Sequence, residues 1–239
     1  MKYMGSKNRI AKELLPIILK DRKDGQWYIE PFVGGANMID KVKGNRIGAD
    51  SNKYLIAMFK GLQKGIIYPK DIDKSFYDLA RDVYRGREKR QEHLCNMTED
   101  VVGWIGFMAS YNGRFFDGGY SGNYKKRDYI SESILNILKQ VESISNVKFT
   151  YSNYDKLEIP NNSLIYCDPP YNGTKEYSNS KFDSELFWEW CRGMKDKGHS
   201  IFVSEYDAPK DFKCIWEKNV NTAMNYGKTK KATEKLFTL

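Results

Sequence analysis

Residues 27–52 carry Trp27-Tyr28-Ile29-Glu30-Pro31-Phe32-Val33-Gly34-Gly35-Ala36 and, a short way on, Arg46-Ile47-Gly48-Ala49-Asp50-Ser51-Asn52. Two short apolar runs each end in an acidic residue. The first predicts a strand at 27–29, after which paired glycines let the backbone bend sharply before a helix that starts near Ala36. The second predicts a strand at 46–49 ending at Asp50. Asn52 then caps a helix that runs through Leu55, Met58 and Leu62. This β-turn-α-β-α order opens a doubly wound α/β sheet, whose ligands lie at the carboxyl ends of its strands. Glu30 and Asp50 both stand at such ends.

Upstream, Ser6 is a fitting N-cap. Ile10, Leu14, Leu15, Ile18 and Leu19 recur at helical spacing and predict a helix to about residue 22, with a kink at Pro16. From 64 to 130 the pattern changes to charged helical stretches and then to a loop, Tyr111 to Tyr124, that holds four glycines. That stretch reads as an insertion. The α/β rhythm returns with a helix near 131–145, strands at 147–151 and 164–167, and a helix opened by Asp183, where Phe182 and Phe187 are spaced as a hydrophobic staple. A strand at 200–203 follows, and two more are expected near 212–220 and 234–238. The expected organisation is one α/β domain, 1–63 with 131–239, and an inserted, mostly helical subdomain, 64–130.

Composition excludes several classes. The 239 residues are 41% hydrophobic and 14% aromatic, enough for a core, while the mean hydropathy is −0.66 and the longest apolar stretch, Val101 to Ala109, is too short to span a bilayer. The first residues lack the pattern of a secretory signal. Cys95, Cys167, Cys191 and Cys214 form no CxxC pair, and His93 and His199 are the only histidines, so no metal site is expected. Reduced thiols and a cytoplasmic location are the plain expectation. The net charge of +8 is unevenly spread. Residues 1–24 and 210–239 each hold seven basic and three acidic side chains, which leaves 25 against 25 between them. A basic surface suits a polyanion such as nucleic acid, although surplus lysine also serves solubility.

The sharpest chemical signal is Asp168-Pro169-Pro170-Tyr171, directly after the apolar run Leu164-Ile165-Tyr166-Cys167. Two prolines cannot continue a sheet ladder and they fix φ, so the carboxylate, the Pro169 carbonyl and the Tyr171 ring share one rigid frame. A lone Asp-Pro-Pro is most simply a turn. With the strand before it and the aromatic after it, the constellation suits a planar substrate bearing an amino group: two acceptors for the NH2 and a ring for stacking. A nicotinamide cofactor is the natural competitor for the first strand-turn-helix unit, but Val33-Gly34-Gly35-Ala36-Asn37 lacks GxGxxG. A cofactor without a pyrophosphate fits better. An acid at the end of the second strand is where such folds bind a ribose diol.

The chain resembles the Dam-type, class alpha, Asp-Pro-Pro-Tyr DNA adenine-N6 methyltransferases. The ordered matches are Tyr3-Met4-Gly5-Ser6-Lys7, Glu30-Pro31-Phe32-Val33-Gly34-Gly35, Asp50 with Asn52, Asp168-Pro169-Pro170-Tyr171, Phe182-Asp183, Ser204-Glu205-Tyr206 and Glu234-Lys235-Leu236-Phe237. The resemblance implies a Rossmann-like S-adenosylmethionine-dependent methyltransferase fold in which 64–130 is a target-recognition subdomain, with Tyr111-Asn112-Gly113-Arg114-Phe115 its most familiar stretch. It implies S-adenosylmethionine as cofactor, held by Tyr3, Lys7, Glu30, Phe32, Val33, Gly34, Gly35, Asp50 and Asp168. Asp168, Pro169, Pro170 and Tyr171 would carry the catalysis on a flipped adenine of double-stranded DNA. The resemblance implies a bacterial or phage-infected host cell and leaves two settings open, half of a restriction system with a cognate endonuclease or an enzyme that acts alone. For DNA contacts the candidates are Asn112, Arg114, Lys125, Lys126 and Arg127 in the loop, Arg85, Arg87, Lys89 and Arg90 before it, and Lys228, Lys230 and Lys231 near the end. The same pocket accommodates an amino group on cytosine, on RNA adenine or on a side-chain amide. A non-catalytic DNA-binding module is the alternative from another class, separable by whether the chain binds S-adenosylmethionine.

Overall fold

The computed structural model describes residues 1–86, 97–124, 127–171, 182–225 and 228–239. Seven strands build the main sheet: β1 (Tyr28–Glu30), β2 (Arg46–Asp50), β5 (Lys148–Tyr151), β6 (Leu164–Cys167), β7 (Ser200–Glu205), β8 (Lys213–Asn225) and β9 (Lys228–Thr238). Their order is β5-β2-β1-β6-β7-β9-β8. The first five run parallel, and β9 is antiparallel to both β7 and β8. The strand order reverses between β1 and β6, which brings the ends of those strands to one crevice. A second, two-stranded sheet pairs β3 (Asn123–Tyr124) with β4 (Arg127–Asp128).

Strand alternation sorts the core into two faces. Tyr28, Leu164, Tyr166 and Leu236 belong to one buried cluster, together with α1 (Ala11–Ile18), α2 (Lys53–Gln63), α4 (Glu99–Ala109) and α5 (Tyr129–Leu138). Their strand neighbours Ile29, Ile165, Cys167 and Phe237 belong to the other, closed by Phe187, Trp188 and Cys191 of α7 (Ser184–Asp196). A parallel sheet covered on both faces explains why its strands read as continuous apolar runs.

The segment 64–130 shares this core. α3 (Lys74–Tyr84) and α4 pack on each other, and α4 packs on α2 so closely that a Cβ at Gly103 would lie 2.2 Å from the Tyr54 carbonyl oxygen. Phe107 stacks on Phe115 at 4.6 Å, and Tyr3 stacks on Phe107 at 5.9 Å, which ties the loop after α4 to the N-terminal segment.

Local signals placed several elements. The Asn52 side chain accepts from the N–H groups of Tyr54 and Leu55, Asp183 does the same for Glu185 and Leu186, and the Phe182 and Phe187 rings meet at 5.6 Å. Others differ from expectation. No α-helix starts at Ala36, because Ala36 is held at φ 55°, outside the helical region; the Gln140 amide donates to the carbonyls of Gly35 and Ala36, and only a 3₁₀ turn at Ile39–Lys41 forms. The first helix stops at Ile18, two residues after Pro16 removes an N–H from its ladder. The helix expected at 131–145 is two, α5 and α6 (Val141–Ile144), broken at the turn that aims Gln140 inward. The final strands are 13 and 11 residues long, well beyond the expected 212–220 and 234–238.

Candidate active site

The carboxyl ends of β1, β2 and β6 set Glu30, Asp50 and Asp168 side by side along the crevice. The N-terminal segment closes over them. Tyr3 lies against the glycine loop: a Cβ on Gly34 would stand 2.8 Å from its ring, and one on Gly35 2.6 Å from its Cβ. Gly34 also has φ 45°. The paired glycines thus serve both the turn and the close approach of Tyr3. Val33 is buried and donates its N–H to the Ala49 carbonyl, and Phe32 meets Tyr154, Phe182 and Phe187 through ring contacts of 5.4–6.0 Å.

Asp50 links the loop to the next helix. Its two oxygens accept from the Gly34 N–H at 3.1 Å and the Asn52 N–H at 2.9 Å. Burial raises its pKa to about 6 against the pull of those two donors. Glu30 accepts from the Tyr28 hydroxyl at 2.9 Å, and burial pushes its carboxyl well above the usual range.

The densest charge cluster forms where three distant pieces of chain meet. The Lys7 ammonium stands 2.8 Å from Asp168 Oδ1 and 3.8 Å from Glu234 Oε2, and donates to the Gly5 carbonyl at 3.2 Å. The Tyr171 hydroxyl donates to Glu234 Oε2 at 2.6 Å, and the Lys7 nitrogen lies 4.5 Å from the centre of its ring. Tyr206 meets that ring edge-on at 4.5 Å. Only 5% of the Lys7 side chain is exposed, against 22% for Asp168 and 12% for Glu234. Burial raises the Asp168 pKa while Lys7 pulls it back. Burial first, and then the neighbouring Asp168 and Glu234 charges, hold the Tyr171 hydroxyl protonated well above its ordinary range. Below the cluster, Tyr166 and Ser204 share a buried hydroxyl hydrogen bond of 2.8 Å.

Lys7 therefore sits on the Asp-Pro-Pro-Tyr segment rather than on the glycine loop. Glu234 belongs to the same cluster, although sequence reading assigned it no role. The available signal was its place in β9, a charge in alternation with Ala232 and the buried Leu236. A charge on an apolar strand face needs a partner.

The candidate DNA residues lie elsewhere. Asn112 and Arg127 are exposed and Arg114 is half-buried. Asn112 adopts φ 55° in a 3₁₀ turn at Tyr111–Gly113, where a Cβ on Gly113 would stand 2.4 Å from the Lys2 carbonyl oxygen. Arg114 pairs with Asp117 at 2.6 Å, and Arg127 donates twice to Glu132, at 2.9 and 2.7 Å, over the Tyr129 ring. Arg85 is the exposed C-cap of α3. Arg87, Lys89, Arg90, Lys125 and Lys126 lie outside the described residues, as do Cys95 and His93. Lys228, Lys230 and Lys231 lie on β9, paired with Asn225, Thr222 and Asn221. Among the described residues no cluster of three or more metal-ligating side chains forms, and no helix is long and apolar enough to cross a membrane. A groove of about 490 Å³ along α1 is lined by none of the site residues.

A sheet of this order, with acidic residues at the ends of β1, β2 and β6 and a glycine loop after β1, is a doubly wound α/β fold with its crevice at those strand ends. A family model of the D12 class N6 adenine-specific DNA methyltransferases matches residues 3–232, and the chain belongs to that family. It is 25% identical over 187 residues to the Type II methyltransferase M.FokI of Planomicrobium okeanokoites, a match that covers 72% of this chain and 28% of that protein. It is 25% identical over 227 residues to the Retron Ec67 DNA adenine methylase of Escherichia coli, covering 87% of this chain and 76% of that one. The chain thus spans little more than a quarter of M.FokI. The solved structure of SMU.472 complexed with SAH is 12% identical, with a TM-score of 0.36, over 98% of this chain and 53% of that chain.

Proposed function

We propose that the protein transfers a methyl group from S-adenosylmethionine to the exocyclic N6 of an adenine flipped out of double-stranded DNA. The observation that carries this reading is the cluster around Asp168. It fixes a carboxylate beside a rigid Pro-Pro carbonyl and a tethered aromatic ring in a family of N6-adenine methyltransferases.

The residues present fit the cofactor. Asp50 has lone pairs left after its two backbone bonds, suited to a ribose diol, and Gly34 and Gly35 leave the loop without side chains of its own. Tyr3, Glu30, Phe32 and Val33 line or brace that loop. When bound, S-adenosylmethionine supplies a methyl group activated by its sulfonium. The chain has to align the nucleophile and hold developing charge. The Asp168 carboxylate and the Pro169 carbonyl accept hydrogen bonds from the adenine NH2, which draws the N6 lone pair out of the ring. As the N6–carbon bond forms, the methyl–sulfur bond would break to leave the neutral thioether, and the proton that N6 gives up would leave by way of the Asp168 carboxylate to solvent. The Tyr171 ring stacks on the base, an interaction worth roughly 1–3 kcal/mol against a few kcal/mol for flipping.

Lys7 and Glu234 act one layer back. Paired to Asp168, Lys7 orients the carboxylate and opposes the upward pull of burial on its pKa, and Glu234 anchors both Lys7 and the Tyr171 hydroxyl. In the loop, Asn112, Arg114, Arg127 and the neighbouring Lys125 and Lys126 contact the duplex. Exposed ion pairs such as Arg127–Glu132 exchange their partners for phosphates at little cost. A DNA substrate also places the protein in the cytoplasm of a bacterial or phage-infected cell. Like a Type II system, it would protect DNA from a cognate endonuclease.

Incubation with a labelled methyl donor and mixed-sequence duplex DNA tests the proposal. Label on adenine N6 is expected. Absence of label, or label on cytosine alone, overturns it. Modified-base sequencing of DNA from cells expressing the protein then reads the target, and resistance of that DNA to endonucleases tests the protective role.

A further inference from the structure

β6, β7 and β9 deliver a row of three side chains to one face of the sheet. β7 and β9 pair through Ser204↔Leu236 and Glu205↔Lys235, so one further step of the same register sets Tyr206 opposite Glu234. Tyr166 and Leu236 are buried on one face, and the Tyr166 and Ser204 hydroxyls meet there at 2.8 Å. Asp168, Tyr206 and Glu234 each stand two residues along the chain from one of those three. Alternation therefore carries them to the same face, one step nearer the crevice. Tyr206 is half-buried at that place. Burial first, and then the charges of Glu234, Glu205 and Asp168, raise the pKa of its hydroxyl, as its position in the row requires.

Tyr171 is tethered to this row by its far end. Its hydroxyl donates to Glu234 Oε2 at 2.6 Å, and the Lys7 nitrogen lies 4.5 Å from its ring centre. A hydrogen bond at the hydroxyl lies on the long axis of the ring and does not stop the ring from turning about that axis, which is a broad, soft torsion in tyrosine. Tyr206 acts on that torsion. Its ring centre is 4.5 Å from that of Tyr171 and the two planes are 79° apart, which is the close end of the range for edge-to-face pairs. A perpendicular ring so near leaves Tyr171 little room to turn.

We propose that Tyr206 is a positioning residue for methyl transfer: its ring sets the plane of Tyr171, so that the platform for the flipped adenine is in place before DNA arrives. The proposal rests on the reading of the chain as a DNA adenine methyltransferase in which Tyr171 stacks on the base. Tyr206 touches neither base nor cofactor and acts through Tyr171. A ring held beforehand loses little freedom when the base arrives, and a base laid on a fixed plane keeps its N6 aligned with Asp168 and the Pro169 carbonyl.

The test compares wild type, Y206L, Y206F, Y171L and Y171L/Y206L in single-turnover transfer of a labelled methyl group to mixed-sequence duplex DNA. Leucine fills the space without a ring, whereas phenylalanine keeps the ring and drops the hydroxyl. Y206L should lower the rate constant about tenfold, the upper worth of an aromatic pair, and Y206F should restore it to within about twofold of wild type. Both should bind S-adenosylmethionine in calorimetry as wild type does. With Tyr171 gone there is no ring to hold, so Y206L should cost nothing further in the Y171L background. Y206L turnover equal to wild type, Y206F as slow as Y206L, or a Y206L loss that persists undiminished in the Y171L background overturns the proposal. Weakened S-adenosylmethionine binding in Y206L overturns it too, because Tyr206 would then hold the fold rather than one ring. A wild-type protein that leaves adenine unlabelled overturns the methyltransferase reading itself, whatever the variants do.

Discussion

The cluster around Asp168 and the loop after α4 use the same kinds of residue to opposite ends. Lys7 and Asp168 are 2.8 Å apart, and the Lys7 side chain is 5% exposed; Arg127 and Glu132 are as close, at 2.7 Å, but 62% and 39% exposed. Burial makes the first pair obligatory, because either charge left alone in the interior is costly. Exposure makes the second exchangeable, since water and phosphate compete for each partner at little cost. On the proposed reading, the chemistry needs groups that stay put and a DNA-facing loop needs groups free to change partners.

Removing the carboxylate proposed to meet the substrate should break the pocket most completely. Asp168→Asn is expected to lower methyl transfer by about 10³-fold while circular dichroism stays that of wild type. Turnover near wild type would remove Asp168 from the mechanism. Lys7→Met should come next. It leaves Asp168 and Glu234 without their shared cation, so transfer falls by about 10²-fold and stability by about 3–5 kcal/mol in denaturant melts. The loss of stability should ease at low pH, where Asp168, its pKa raised by burial, takes up a proton. A variant as stable as wild type at pH 8 would mean that the pair is not obligatory.

Asp50 sharpens the contrast through pH. Its folded pKa of about 6 lies above the unfolded value near 4, so the folded chain holds a proton that the unfolded chain releases. Its contribution thus favours folding at low pH and is lost as pH rises from about 4 to 6. Asp50→Asn should flatten that part of the stability curve, as thermal melts between pH 4 and 7 would show. The smallest effect is expected in the loop. Arg127→Gln should leave the melting temperature unchanged and remove about one unit from the salt slope of duplex binding. A clear drop in melting temperature would place the Arg127–Glu132 pair with the obligatory ones.

What was legible in the sequence was local. The Asn52 and Asp183 caps, the strands ending at Glu30 and Asp50 and the Asp-Pro-Pro-Tyr turn each depend on residues a few positions apart. The expected helix at Ala36 failed because Ala36 itself is held at φ 55°, in a turn that a residue far along the chain, Gln140, braces through the Gly35 and Ala36 carbonyls. The lengths of β8 and β9 were missed because their pairing with each other, rather than burial, sustains them through a polar stretch that reads as loop. Glu234 stayed without a role for the same reason, since its partners lie at positions 7 and 171.

By itself the sequence determined the α/β order, the acidic strand ends and the rigid tetrapeptide, because periodicity, capping and proline act over one or two turns of chain. Only the tertiary structure decided that Lys7, Asp168, Tyr171 and Glu234 form one cluster and that β9 pairs with both β7 and β8. Those outcomes depend on sheet order and strand register, which join residues more than 150 positions apart and leave no trace in their immediate neighbours.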